Sequence, residues 1–162
     1  MEPVRFADGR MLRYFALPDS SGQSIDLEKY QRERSLVIFF GHEGCPRCAA
    51  LLADYAGRAA VVRDEGAEPV AVLNGANESA ERSASQLPVL IDAGGSAARA
   101  QGLQAPALLI TDVYGEIYVA WEGGESHDLP SGEDIVDWVV SIERLCEECT
   151  VSEWSLRGEE ND

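Results

Sequence analysis

Two cysteines two residues apart, Cys45 and Cys48, are the groups in this chain best suited to chemistry. A sulfur is nucleophilic only as a thiolate, so its surroundings decide whether such a pair is reactive or inert. The apolar run Leu36–Phe40 leads into them through a short turn that contains Gly41 and Gly44, and Pro46 stands between them. Proline is favoured in the first turn of a helix, where its missing N–H costs nothing. A helix starting here aims its unpaired N–H groups and the positive end of its dipole at Cys45. Spacing of three puts both sulfurs on one helix face, within reach of a disulfide. Cys45, at the exposed end, is then the attacking thiol, and Cys48, one turn in, resolves the mixed disulfide. Arg47 adds positive charge beside the pair and Glu43 opposes it. His42 is placed to stabilise a thiolate or deliver a proton, with a solvated turn histidine as the bland alternative. For the cysteines themselves the alternatives are half of a zinc site or two ordinary buried thiols.

A second pair, Cys146 and Cys149, lies near the chain's end. Glu147 and Glu148 raise the thiol pKa values there by repulsion, which makes this pair the less reactive. It reads as packing of a C-terminal helix, as a second redox pair relaying electrons to the first, or as part of a four-cysteine zinc site. Pro106 opens the apolar run Ala107–Ile110. Such a proline is a routine strand start, or else a cis proline that places backbone groups beside the dithiol for an extended substrate. His127 sits in a glycine-rich polar loop and is assigned no role. There is no serine, histidine and acid grouping for hydrolysis and no phosphate-binding glycine loop.

The elements that must hold Cys45 and Cys48 follow from periodicity. Leu36–Phe40 is continuously apolar, as a strand covered on both faces requires. Apolar residues recur at Ala49, Leu52, Ala53, Ala56, Ala60 and Val61, which predicts a helix from Pro46 to just before Gly66. Pro69–Leu73, Leu87–Ile91, Ala107–Ile110 and Ile117–Trp121 read as further strands, and Phe15–Pro18 as a short extended piece. Ile25–Tyr30 reads as a short strand followed by a helical turn. Asn77–Gln86, with Asn77 as N-cap, and Gly95–Gln101 read as helices. Asp112–Gly115 makes a hairpin turn. A final amphipathic helix covers Glu133–Cys146, entered through Ser131 and Asp134 as an acidic capping box. Residues 1–13 show no periodicity, and the tail 155–162 is expected to be flexible. Alternating strands and helices closed by a hairpin and a helix predict one α/β domain over 1–162 with a mixed central sheet.

The net charge is −16, with a single lysine, Lys29, so neither nucleic acid nor an anionic membrane is an expected partner. The first residues carry no signal-peptide pattern and no apolar run is long enough to cross a bilayer. A cytoplasmic location is expected, where paired cysteines are more often catalytic than structural.

Taken together, several segments resemble the thioredoxin-fold redoxins, and most closely the peroxiredoxin-like group of alkyl hydroperoxide reductases and thiol-specific antioxidant proteins together with related thiol-disulfide oxidoreductases. The segments are Phe15–Gln23, Leu36–Cys48, Leu87–Asp92 with Ala98–Gly102, and Ala105–Ile117. The resemblance implies a thioredoxin-like fold with a peroxiredoxin-type N-terminal extension and an inserted strand and helix. It also implies that Pro106 is the cis proline shaping the substrate groove. Peroxiredoxins carry the pattern P-x-x-x-T-x-x-C; laid here, its cysteine falls on Cys48, while its threonine and proline positions hold Cys45 and Gly41. Dithiol enzymes of this fold carry W-C-x-x-C, and here Gly44 replaces the tryptophan but both cysteines remain. The expected function is therefore thiol-disulfide exchange with Cys45 attacking and Cys48 resolving, supported by Pro106, Arg47 and His42. Peroxide reduction by Cys48 is the alternative, and a redox-inert binding module the second. No cofactor or metal is expected. The expected partners are a protein or small-molecule thiol or disulfide, or a peroxide, with the chain a monomer or homodimer.

Overall fold

The computed structural model describes residues 2–6, 9–76 and 78–144. In chain order the elements are β1 (Ala16–Pro18), β2 (Ser24–Asp26), α1 (Leu27–Gln31), β3 (Ser35–Gly41), α2 (Pro46–Gly57), α3 (Ala59–Asp64) and β4 (Ala67–Leu73). They continue with α4 (Glu78–Ser83), β5 (Val89–Ile91), α5 (Ser96–Ala100), β6 (Ala107–Thr111) and β7 (Ile117–Glu122). A last helix, α6, covers 132–144 among the described residues. Five strands form the central sheet in the order β5-β4-β3-β6-β7. β3 and β4 run parallel, as do β4 and β5; β6 is antiparallel to both β3 and β7. The expected mixed sheet is thus present, with β3 at its centre.

The continuous apolar character of β3 has a simple cause. Successive side chains point to opposite faces, and both faces are covered. Val37 and Phe39 join the core beneath α2, α3 and α6. Leu36, Ile38 and Phe40 join the opposite core, with Leu27, Leu90, Ala98 and Leu103. β6 divides likewise, Leu108 and Ile110 on one side and Ala107 and Leu109 on the other. Burying a side chain of this size stabilises by about 1.5–3 kcal/mol, so the strand that delivers the cysteines is held firmly from two sides. α6 starts as predicted: Asp134 N–H donates to Ser131 Oγ at 3.1 Å and Ser131 N–H donates to the Asp134 carboxylate at 3.3 Å. Such a cap is worth about 1 kcal/mol.

Two features differ from the sequence reading. The long helix after Pro46 is divided at Arg58, whose φ of −103° and ψ of 0° interrupt it between α2 and α3. Gly57, a poor helix former, ends the first part. The N-terminal stretch, without periodicity, runs along β7. Val4 N–H donates to the Ala120 carbonyl at 2.7 Å, Ile117 N–H to that of Arg10 at 2.8 Å and Leu12 N–H to that of Gly115 at 2.8 Å. This segment covers what would otherwise be an open sheet edge. Leu145, Cys146, Cys149, Trp154, the tail 155–162 and the Asn77 cap lie outside the described residues. No helix among the described residues is long and apolar enough to cross a membrane.

Candidate active site

β3 ends at the buried Gly41, where an added Cβ would come within 2.7 Å of the Phe39 ring. The chain then turns through Gly44, whose φ of +73° is strained for residues with a Cβ. Cys45 follows as the N-cap of α2, extended at φ −94° and ψ 116°, with Pro46 in the first turn. Its Sγ accepts from the Cys48 N–H at 3.4 Å. The thiol therefore occupies the place of a capping oxygen, facing the unpaired N–H groups of the helix. Cys45 is half-buried, while Cys48, one turn in, is only 1% exposed and belongs to the core. Cys48 Sγ accepts from the His42 N–H at 3.3 Å, and His42 Nδ1 stands 4.0 Å from the same sulfur.

This asymmetry separates the two acidities. The Cys48 N–H, foremost, holds Cys45 below the ordinary thiol value; the Cys48 side chain, the Arg47 N–H and His127 add to the effect, against some desolvation. Burial pushes Cys48 up to about 11, helped by the neighbouring Cys45 and opposed by the His42 N–H. Cys45 is thus the sulfur that ionises more readily, and Cys48 stays protonated until called on.

His127, to which the sequence assigned nothing, is part of the site. Its Nε2 lies 3.2 Å from Cys45 Sγ. Its Nδ1 is 3.0 Å from the Glu125 carbonyl, which can only accept, so Nδ1 carries the proton and Nε2 turns its lone pair to the thiol. The backbone of His127 is left-handed, with φ +57°, and its N–H donates to the Gly124 carbonyl at 3.1 Å. The only sequence signal was a histidine among glycines just after β7. The sheet order that sets β7 beside β6 is what brings this loop to Cys45. Arg47 docks onto the same loop, its Nη1 donating to the Glu125 carbonyl at 3.2 Å. Its main-chain N–H, rather than its guanidinium, figures among the groups that favour the Cys45 thiolate.

The Ala105–Pro106 peptide bond is cis. Both residues line a cleft of about 610 Å³ with His42, Gln104, Glu122–Glu125 and His127. Pro106, His42 and His127 therefore meet at one opening, beside Cys45. The second pair, Cys146 and Cys149, lies outside the described residues.

A family model described as AhpC/TSA family matches residues 9–120. No curated protein gives a significant match. Among solved structures, the chain is similar to peroxidoxin BcpB from Mycobacterium tuberculosis, with a TM-score of 0.66 and 18% identity over 85% of this chain and 96% of that one. It is also similar to a secreted M. tuberculosis disulfide oxidoreductase homologous to E. coli DsbE, with a TM-score of 0.63 and 19% identity over 83% and 99%. The thioredoxin domain of a thiol-disulfide oxidoreductase from Bacteroides vulgatus gives a TM-score of 0.63 at 16% identity, over 83% and 99%. These likenesses establish the thioredoxin-like fold.

Proposed function

The chain belongs to the AhpC/TSA family of redoxins, and on that premise we propose that it is a thiol-disulfide oxidoreductase working through Cys45 and Cys48. The observation that carries this reading is the unequal setting of the two sulfurs: Cys45 half-buried at a helix start against a histidine, Cys48 in the core. Cys45 passes its proton to His127 Nε2, and the thiolate attacks one sulfur of a substrate disulfide. The Cys45–substrate S–S bond forms as the substrate's own S–S bond breaks, and the other substrate sulfur leaves as a thiolate. Cys48 then loses its proton and attacks Cys45 Sγ, forming the intramolecular disulfide and releasing the second substrate thiolate. His42 is the nearest base for that proton, and its main-chain N–H stabilises the charge on Cys48 as it develops. A dithiol donor returns the pair to the reduced state. Ala105 and Pro106 form one wall of the groove for the substrate.

Peroxide reduction by Cys48 fits this site less well. The attacking sulfur would have to be the buried one, whose ionisation is disfavoured, and Cys45 stands where the peroxide-holding threonine of the peroxiredoxin pattern would be. Two assays divide the readings. The protein is expected to speed the reduction of insulin disulfides by dithiothreitol and to react with hydrogen peroxide no faster than a free thiol. Rapid peroxide oxidation of Cys48, kept in Cys45→Ser and lost in Cys48→Ser, would overturn the proposal in favour of a peroxidase. Failure of both reactions would leave a redox-inert module.

A further inference from the structure

His42, Cys48 and His127 approach one another from three separate elements: the end of β3, the first turn of α2 and the loop after β7. One ligating atom from each lies within 4.8 Å of the other two. Cys45 Sγ adds a fourth donor, 3.2 Å from His127 Nε2. We infer that the reduced site binds one thiophilic divalent ion of the Zn(II) class, held by Cys45, Cys48, His42 and His127.

Distances, ligand chemistry and support all point this way. With metal–sulfur and metal–nitrogen bonds of about 2.3 and 2.0 Å, ligand atoms of a tetrahedral site stand roughly 3.3–3.8 Å apart. The Cys45–His127 contact of 3.2 Å and the Cys48–His42 separation of 4.0 Å bracket that range. Within the group of His42, Cys48 and His127 the widest pair, at most 4.8 Å apart, needs to close by about 1 Å. Cys45 lies outside that group, touches it through His127 and must swing in to complete the four. Two thiolates and two imidazoles are the donor set that selects Zn(II) over the hard, oxygen-seeking cations. His127 also has the outer support that metal-binding histidines have: Nδ1–H donates to the Glu125 carbonyl and leaves Nε2 free for an ion. Binding releases two thiol protons, and the thiolates then neutralise the ion. The ion and an intramolecular disulfide need the same two sulfurs, so each excludes the other.

The test uses full-length protein carrying Cys146→Ser and Cys149→Ser, so that only the first pair can respond, with Co(II) as the coloured stand-in for Zn(II). Reduced protein is expected to take up one Co(II) per chain, with a thiolate-to-metal charge-transfer band and the visible bands of a tetrahedral ion. Zn(II) should displace it, and prior oxidation of the pair by excess oxidised glutathione should abolish it. Cys48→Ser, His42→Ala and His127→Asn are each expected to weaken binding by about 10-fold or more, since losing even an outer-shell partner costs that much. Asparagine is chosen at position 127 because it tolerates the left-handed backbone there. Absence of the charge-transfer band in reduced protein would overturn the inference. So would an unchanged affinity in either histidine variant, because that histidine would then not hold the ion and the four-ligand site would be wrong. Exchange activity is read separately on metal-free protein with insulin, so a failure of either proposal is visible without the other.

Discussion

Cys45→Ser is expected to lower disulfide-exchange turnover by more than ~10³-fold, the scale seen when a covalent nucleophile is removed. The serine hydroxyl keeps the capping geometry, since it can accept from the Cys48 N–H as the sulfur does at 3.4 Å. It does not ionise at neutral pH, so the helix start has no thiolate to stabilise. Cys48, 1% exposed and with its pKa pushed up to about 11, cannot take over the attack. Cys48→Ser has a different signature. Attack by Cys45 survives, but nothing remains to break the bond it forms. The protein should accumulate as a covalent mixed disulfide, one substrate thiol per chain, seen as added mass on the intact protein and lost on reduction. Accumulation of the same mixed disulfide in Cys45→Ser would show that the sulfurs are interchangeable, which their unequal burial forbids.

The second large effect concerns His127. It lies against Cys45 and favours its ionised form. Removing it as His127→Asn raises the Cys45 pKa towards the ordinary thiol value of about 8.5. The thiolate fraction at neutral pH falls, and with it the rate. The expected loss is roughly 10-fold at pH near 7, since a thiol of ordinary pKa is still about 3% ionised there, which caps the loss at about 30-fold. The sign fixes the pH dependence. Above the ordinary thiol pKa the variant's Cys45 ionises unaided, so the two rates converge in alkali and separate as pH falls. A stopped-flow rate with a small aromatic disulfide, taken across pH for both proteins, checks this. A loss of the same size at every pH would mean that the loop is only structural. Three main-chain and side-chain groups of α2 still favour the thiolate in the variant, which is why the expected loss is limited.

What the sequence made legible is local. The apolar run of β3, Pro46 in the first helical turn and the two-residue gap between the cysteines each act within a few residues, and the structure places Cys45 and Cys48 at a strand-to-helix junction accordingly. Pro106 was legible through family resemblance, because a proline at a strand start has an ordinary explanation. His127 was not legible, since 82 residues separate it from Cys45 and only the order β3-β6-β7 makes them neighbours. The charge of Arg47 was visible, but its guanidinium is engaged by the Glu125 carbonyl, a partner that no spacing rule supplies. The break at Arg58 turns on small propensity differences, and the N-terminal pairing along β7 is made by main-chain groups that leave no side-chain period. The contribution of Cys146 and Cys149 lies beyond the described residues.

The most direct test of the unequal sulfurs is the alkylation rate of each cysteine against pH, read by peptide mass spectrometry on reduced, chelator-treated protein. Cys45 should react with a midpoint below the ordinary thiol value, and Cys48 should stay protected until pH nears its raised value of about 11. If Cys48 is modified as fast as Cys45, or first, the division of attacking and resolving roles is wrong.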